Sequence, residues 1–579
     1  MDLGSLDACI EDTMASWHCP GLAIAVVQDG TVVHQRGFGW RDADQRLPMA
    51  ADTRFAMGSV TKSFTALSAA QCVDDGLLAW DRPVCQDMPE FLLDDPYVTR
   101  HVTLRDMLSH RTGMPRHDYA AWRLALPRAE FIARMRHLKF SASLRERYQY
   151  NNLMYAAAAY LVEKVAGRRW EDLVRERILA PLGMHASNLE PAFADEAAHP
   201  LALGYNLQRD AEGRFERWVH MPPGLHTELS PGPAGTLFST AADMARWLQL
   251  HLDGSECGGA RIVSRHNIQE LRTPQMAMPV NDMGYALSGL TMMSYGLGWM
   301  VRPYPFAGGT LVFHDGNVEG FSAHVCFVPE SRIGVVALAN ASGSSVPAIA
   351  AREAMDRLLG LPARDWNARF HRVHDPLLAA AAKGRTVVVA QKLPQPPSHP
   401  LEAYEGSYGA EGYPDFAVRL RDGALQACTV GSMDWSELRH QHYDVFDWHI
   451  PLWDSWCRAR FTTGERGEVD AVSIPLAAGV PDIVFTRKPA AIDAATLDAL
   501  AGDYDPGVDG LLFRISHQDG KLYWTETGSP AFECAPRRLG DGTAEFDIER
   551  TRIVFTREDG RWMHVAAHTP FASYEARRR

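Results

Sequence analysis

Gly58-Ser59-Val60-Thr61-Lys62 opens a helix expected from about Val60 to Asp75, with Gly76 placed as its C-cap. Ser59 stands where that helix begins. A backbone N–H there has no intrahelical partner and lies at the positive end of the helix dipole, a setting that suits an oxyanion. Lys62 follows three residues later on the same face, with the small apolar residues Ala66, Ala69 and Ala70 behind it. A lysine held in such a pocket has its pKa lowered and can accept a proton from serine. Taken alone, Ser-x-x-Lys also fits a capped surface helix.

Two further segments change the balance. Tyr150-Asn151-Asn152 precedes a helix expected from about Asn152 to Ala166, capped by Gly167. A tyrosine beside a lysine ammonium ionises more easily and can shuttle protons, and Asn152 can orient the lysine and a substrate amide. Phe313-His314-Asp315-Gly316-Asn317 enters a strand. Gly316 would let the backbone approach a ligand closely, and the N–H of Asn317 could supply a second oxyanion donor. Singly, Tyr150 and Asn152 also fit a core tyrosine and an N-cap, and His314 a satisfied surface histidine.

Ser-x-x-Lys, Tyr-x-Asn and His-x-Gly occur in this order, each beside the expected helix or strand. The set resembles the class C β-lactamases, D-aminopeptidases and related esterases of the penicillin-recognising serine hydrolases. The resemblance spans about Leu6 to Gly360. It includes Thr103 to Gly113, Pro233 to Thr240 and Tyr295-Gly296-Leu297-Gly298-Trp299. It implies an α/β (α+β) β-lactamase-like, transpeptidase-type fold, with Ser59, Lys62, Tyr150 and His314 as catalytic residues. Asn152, Gly316, Asn317, Asp118 and Glu319 are expected to bind substrate, the two carboxylates by holding an ammonium; both also fit solvated loop positions. Class C β-lactamases carry Lys-Thr-Gly where His314 stands here, which counts against efficient β-lactam hydrolysis. His-x-Gly is similar to the D-aminopeptidases and esterases of the group.

The chain has 579 residues, too many for one ordinary core. The Pro-rich run Leu393 to Pro400 suggests a linker. Beyond it Leu401 to Tyr408 matches Leu497 to Tyr504, Asp422-Gly423 matches Asp519-Gly520, and Val484 to Arg487 matches Val554 to Arg557. Short alternating segments punctuated by glycine imply two small antiparallel, lipocalin-like β-barrels. The expected division is a catalytic domain at 1–370, a linker at 371–400 and barrels at 401–490 and 491–579. Two trailing barrels are also similar to the D-aminopeptidase plan.

A net charge of -13 gives no reason to expect nucleic acid or an anionic membrane as partner. Nine cysteines, odd in number and without a CxxC pair, are those of a reduced chain. His440 and His442 have no apparent third metal ligand. The first 30 residues hold no Lys or Arg, and no apolar run reaches about 18 residues, so the cytoplasm is expected. Trp435, Trp448, Trp453 and Trp456 would either stack on a ligand or fill a barrel. The reading is a hydrolase of small amides or peptides, D-configured ones included, acting without metal or cofactor; homo-oligomerisation stays open. A carboxylesterase with the same site is one alternative. The other is a non-catalytic penicillin-binding or peptidoglycan-sensing module, which would not need the proton-transfer groups.

Overall fold

The computed structural model describes residues 3–121, 126–189, 200–210, 214–221, 232–257, 260–280, 286–304, 308–390, 395–429, 435–450, 455–465, 467–540, 542–548, 551–569 and 572–579. Trp453 and Leu393-Pro394 lie outside these residues.

Among the described residues one antiparallel sheet is built from both ends of the first 340 residues. Its strands are β1 (Gly21–Gln28), β2 (Thr31–Asp42), β3 (Leu47–Pro48), β4 (Met276–Met278), β5 (Met293–Tyr295), β6 (Met300–Tyr304), β7 (Gly309–Val318), β8 (Phe321–Val328) and β9 (Ile333–Ala339), in the order β4-β5-β6-β7-β8-β9-β1-β2-β3. The β1–β2 hairpin turns at Asp29 and Gly30, both at positive φ, as Asp-Gly favours. β1 and β9 are buried along almost their whole length, so their apolar runs do not alternate. One face of the sheet meets α1 (Leu6–Ser16) and α5 (Val346–Leu358) in a single apolar core.

On the other face lie α2 (Thr61–Asp74), α3 (Asn152–Ala166) and α4 (Ala241–Asp253). Every residue of α2 from Thr61 to Cys72 is buried, which is the condition of a helix at the centre of a helical layer. α2 follows a 3-10 turn at Gly58–Val60, and α3 ends at Gly167 with φ 65°. Both helices occupy the residues expected for them.

Residues expected as linker are in part helical: α6 runs from Trp366 to Ala390. Its first turns, ahead of the expected linker, carry Trp366 and Phe370 into a cluster with Ile349 of α5. The chain forms two compact units. One is Met1–Leu393 together with Glu411–Pro414 and Pro475–Asp482, and the other is the remainder.

The second unit holds two closed barrels of eight strands, from Gly406–Gly409 to Ile483–Arg487 and from Gly502–Asp505 to Ser573–Arg578. The first two repeat matches are topologically equivalent. Tyr408 and Tyr504 each donate from their hydroxyl to the carbonyl four residues earlier, at 2.8 and 2.9 Å. Asp422-Gly423 and Asp519-Gly520 turn the same hairpin at positive φ. The third match does not correspond: Arg487 ends the eighth strand of its barrel, whereas Arg557 lies in the sixth of the other. The counterpart of Arg487 is Arg578, which pairs with Tyr504 as Arg487 pairs with Tyr408. Val-Phe-Thr-Arg recurs because alternation and strand propensity favour it in any barrel strand. Trp448 packs inside the first barrel against Phe416, while Trp435 and Trp456 each lie beneath an arginine, Arg419 and Arg439.

Candidate active site

The residues leading to Ser59 are pinned by a chain segment far away in sequence. Phe55–Ala56 pairs with Phe238–Ser239, and Met57 N–H donates to the Leu237 carbonyl at 2.8 Å. Thr61 returns the contact, its hydroxyl accepting from Leu237 N–H at 3.0 Å and donating to the Gly58 carbonyl at 2.7 Å. The half-buried Ser59 therefore sits on a turn held from two directions.

Lys62 is fully buried beneath it. Its Nζ lies 3.0 Å from Ser59 Oγ and donates to the Ala234 carbonyl at 2.7 Å. It also stands 4.9 Å from the centroid of the Tyr150 ring and 5.4 Å from that of Tyr155. Burial, helped by the charge of Arg116 and opposed by Asp118, holds its pKa well below the ordinary lysine range. A neutral amine can donate one N–H to Ala234 and turn its lone pair to the Ser59 hydroxyl, which is the arrangement of a base. Ala234 lies in the Pro233 to Thr240 segment of the resemblance, but no role was expected of it, because a backbone carbonyl carries no residue-type signal.

Tyr150 precedes α3, with its ring against Lys62 and its hydroxyl influenced by Ser59. Burial pushes that hydroxyl up, while Ser59 and Arg116 pull it down. The net shift is upward, opposite to the effect of a lysine cation, because Lys62 itself is buried and burial dominates. At neutral pH Tyr150 is an acid that holds its proton.

Asn151, not Asn152, caps α3, its side chain accepting from Met154 N–H at 2.9 Å. Asn152 is left to donate its amide to Asp118 Oδ1 at 3.0 Å. The other oxygen of Asp118 accepts from Arg116 Nε at 2.6 Å, and the Arg116 guanidinium lies 5.2 Å from the Tyr150 ring centroid. In this same unit the hydroxyl of Tyr413 is 2.6 Å from Nδ1 of the neighbouring His117.

β7 brings the third motif alongside. His314 is buried on the α2 side, with both ring nitrogens engaged. Nδ1–H donates to the Asp315 carbonyl at 2.7 Å, and Nε2 accepts from the Tyr295 hydroxyl at 2.8 Å. Burial, then Lys62, lowers its pKa to about 4. Asp315 points to the opposite face and pairs across the ladder with His324 at 2.6 Å. Asn317 N–H lies against Gly58: a Cβ on that glycine would come within 2.9 Å of it. This sets the Asn317 amide beside the start of the Ser59 turn. Glu319 stands half-buried in the turn from β7 to β8.

The close approach that Gly316 permits is to the Met57 carbonyl, against which any Cβ would clash outright. Gly316→Ala is therefore expected to cost about 1–3 kcal/mol or more as overpacking and to shift the Ser59 turn. Thermal melting together with the rate at which a fluorophosphonate labels Ser59 checks this. An alanine variant with unchanged Tm and rate would refute the contact.

A family model described as Beta-lactamase matches residues 6–359, and one described as Domain of unknown function (DUF3471) matches residues 390–487. The chain is 30% identical over 452 residues to an unguisins hydrolase of Aspergillus violaceofuscus, covering 73% of this chain and 78% of that protein. It is 29% identical over 329 residues to penicillin-binding protein 4 of Amycolatopsis lactamdurans, covering 56% of this chain and 81% of that protein. Among solved structures, an octameric penicillin-binding protein homologue from Pyrococcus abyssi matches with a TM-score of 0.55 at 26% identity, over 84% of this chain and 100% of that one. Among the described residues no helix is long and apolar enough to cross a membrane.

Proposed function

The chain belongs to the Beta-lactamase family, and from that premise we propose that it hydrolyses an amide bond of a small substrate through an acyl-enzyme on Ser59. The observation that carries the reading is the fully buried Lys62 with Nζ 3.0 Å from Ser59 Oγ. Burying an amine is costly, and a proton-accepting role beside a hydroxyl accounts for it.

Ser59 Oγ attacks the substrate carbonyl carbon while its proton passes to Lys62 Nζ. The N–H groups of Ser59 and Asn317 receive the oxyanion. As the tetrahedral intermediate collapses, the Tyr150 hydroxyl gives its proton to the departing nitrogen and recovers one from the Lys62 ammonium. Water then attacks the acyl-enzyme, its proton passing through the same pair and returning to Ser59. Amine departure needs an acid, whereas an activated alkoxide leaves without one. A tyrosine that keeps its proton beside Ser59 therefore favours amides over esters.

Asn152 and Asp118 are assigned to the side of the cleft that meets the substrate amide. Asp118 would take a substrate ammonium by exchanging it for Arg116, with Glu319 as a second carboxylate. Gly316 sets the Asn317 amide in place through its contact with Met57. His314, with both nitrogens committed, holds Tyr295 in the wall behind Lys62.

A panel of D- and L-amino-acid amides, short acyl esters and a β-lactam tests the reading. Ser59-dependent amide hydrolysis is expected, and the panel reads its D or L preference. Turnover of esters alone would make the protein a carboxylesterase. Stable acylation by the β-lactam with no turnover of any substrate would make it a binding module.

A further inference from the structure

His110 contacts Tyr150 and both of its chain neighbours. Its carbonyl accepts from Gln149 N–H at 2.8 Å, and its Nδ1 accepts from Asn151 N–H at 3.0 Å. Its ring lies against the Tyr150 ring, with centroids 4.2 Å apart and planes at 34°. The side chain is fully buried, and Tyr295 stands at 4.6 Å and Tyr155 at 5.2 Å around it.

Because Nδ1 accepts, the imidazole proton sits on Nε2. Among the described residues Nε2 has no hydrogen-bond partner. An enclosed, unpaired N–H is unfavourable, and a leucine of similar volume would avoid it. What recommends histidine here is therefore the acceptor at Nδ1. The backbone of residue 110 is also in the left-handed region, at φ 59°, which histidine and asparagine adopt more readily than apolar residues.

We propose that His110 is the positioning residue for Tyr150, fixing the chain on both sides of the tyrosine and bracing its ring so that the hydroxyl stays on Ser59. The inference rests on the hydrolytic reading given above. It requires a neutral imidazole, since a protonated ring could not accept from Asn151. Burial, then proximity to the basic groups Lys62, His314 and Arg116, keeps its pKa well below the usual histidine range.

If His110 acts through the Tyr150 hydroxyl, its loss must affect poor leaving groups more than good ones. The test compares D-alanine p-nitroanilide with p-nitrophenyl acetate on the full-length chain, in His110→Leu, Tyr150→Phe and the double variant. His110→Leu is expected to lower kcat on the anilide at least tenfold and on the ester less than threefold, with KM nearly unchanged. In the Tyr150→Phe background it should lower anilide turnover less than twofold. His110→Asn, which keeps an acceptor near the Nδ1 position, should restore kcat to within threefold of the parent.

Equal losses on both substrates, or the same anilide loss in both backgrounds, would mean a merely structural role and overturn the proposal. So would a folded His110→Asn variant more than tenfold impaired, and that comparison decides alone if His110→Leu does not fold. Anilide turnover that is independent of Ser59 or untouched by Tyr150→Phe would remove the hydrolytic reading itself, and this inference with it.

Discussion

Ser59→Ala is expected to abolish hydrolysis, with kcat falling by about 10⁴-fold or more while the fold is kept. The oxyanion donors and the cleft remain, but no oxygen is left 3.0 Å from Lys62 Nζ to attack the substrate. Ser59 is half-buried on a turn whose hydrogen bonds run through Met57, Gly58 and Thr61, so removing its hydroxyl disturbs no structural contact of that turn. The parent protein should be labelled on Ser59 by a fluorophosphonate, located by mass spectrometry of the labelled peptide, and the alanine variant should take no label. Label on a different serine, or activity above one-hundredth of the parent's, would refute the nucleophile.

Lys62→Ala and Tyr150→Phe are each expected to lower kcat on amides by about a hundredfold or more, the usual scale of general acid–base contributions. A loss of less than threefold in either variant would take that residue out of the proton path. Lys62 also predicts two dependences on pH. With the neutral form as the proposed base, kcat/KM should rise as pH rises through its lowered pKa. Stability should follow the same direction. In the folded chain the lysine pKa lies well below the ordinary 10.5. Between those two values the unfolded chain binds a proton that the folded chain does not, and folding is favoured as pH increases. Lys62→Met removes this linkage. The difference in Tm, variant minus parent, should therefore be more positive at pH 7 than at pH 9.5. No difference between the two pH values, or the opposite trend, would show that Lys62 remains charged in the folded protein.

How much of this was legible in the sequence depends on how far apart the interacting groups lie along the chain. α2 and α3 occupy the residues expected of them because glycine caps and helical spacing act within a few residues. The barrels were legible in outline for the same reason: Asp-Gly turns and alternation are local. The third repeat match failed because strand composition does not encode which strand of a barrel it belongs to. The helix Trp366–Ala390 crosses the boundary expected at residue 370, because nothing local stops it there and its aromatic anchors Trp366 and Phe370 are set by a distant cluster.

The sequence by itself determined which atoms could react. Ser59 and Lys62 share a helix face because they stand three residues apart, and no tertiary contact is needed to bring them together. Tertiary structure alone decided their state. The Lys62 pKa is lowered because α2 is buried on all sides, and its hydrogen bond goes to a carbonyl 172 residues away. Desolvation raises the Tyr150 hydroxyl above the ordinary tyrosine range, although its neighbour in the sequence pattern is a lysine. His314 turns to Tyr295 because β7 and β5 lie in one sheet. Gly316 is needed where β7 meets the Met57 carbonyl. Desolvation and long-range packing set each of these outcomes, and both depend on what the rest of the chain places around a residue.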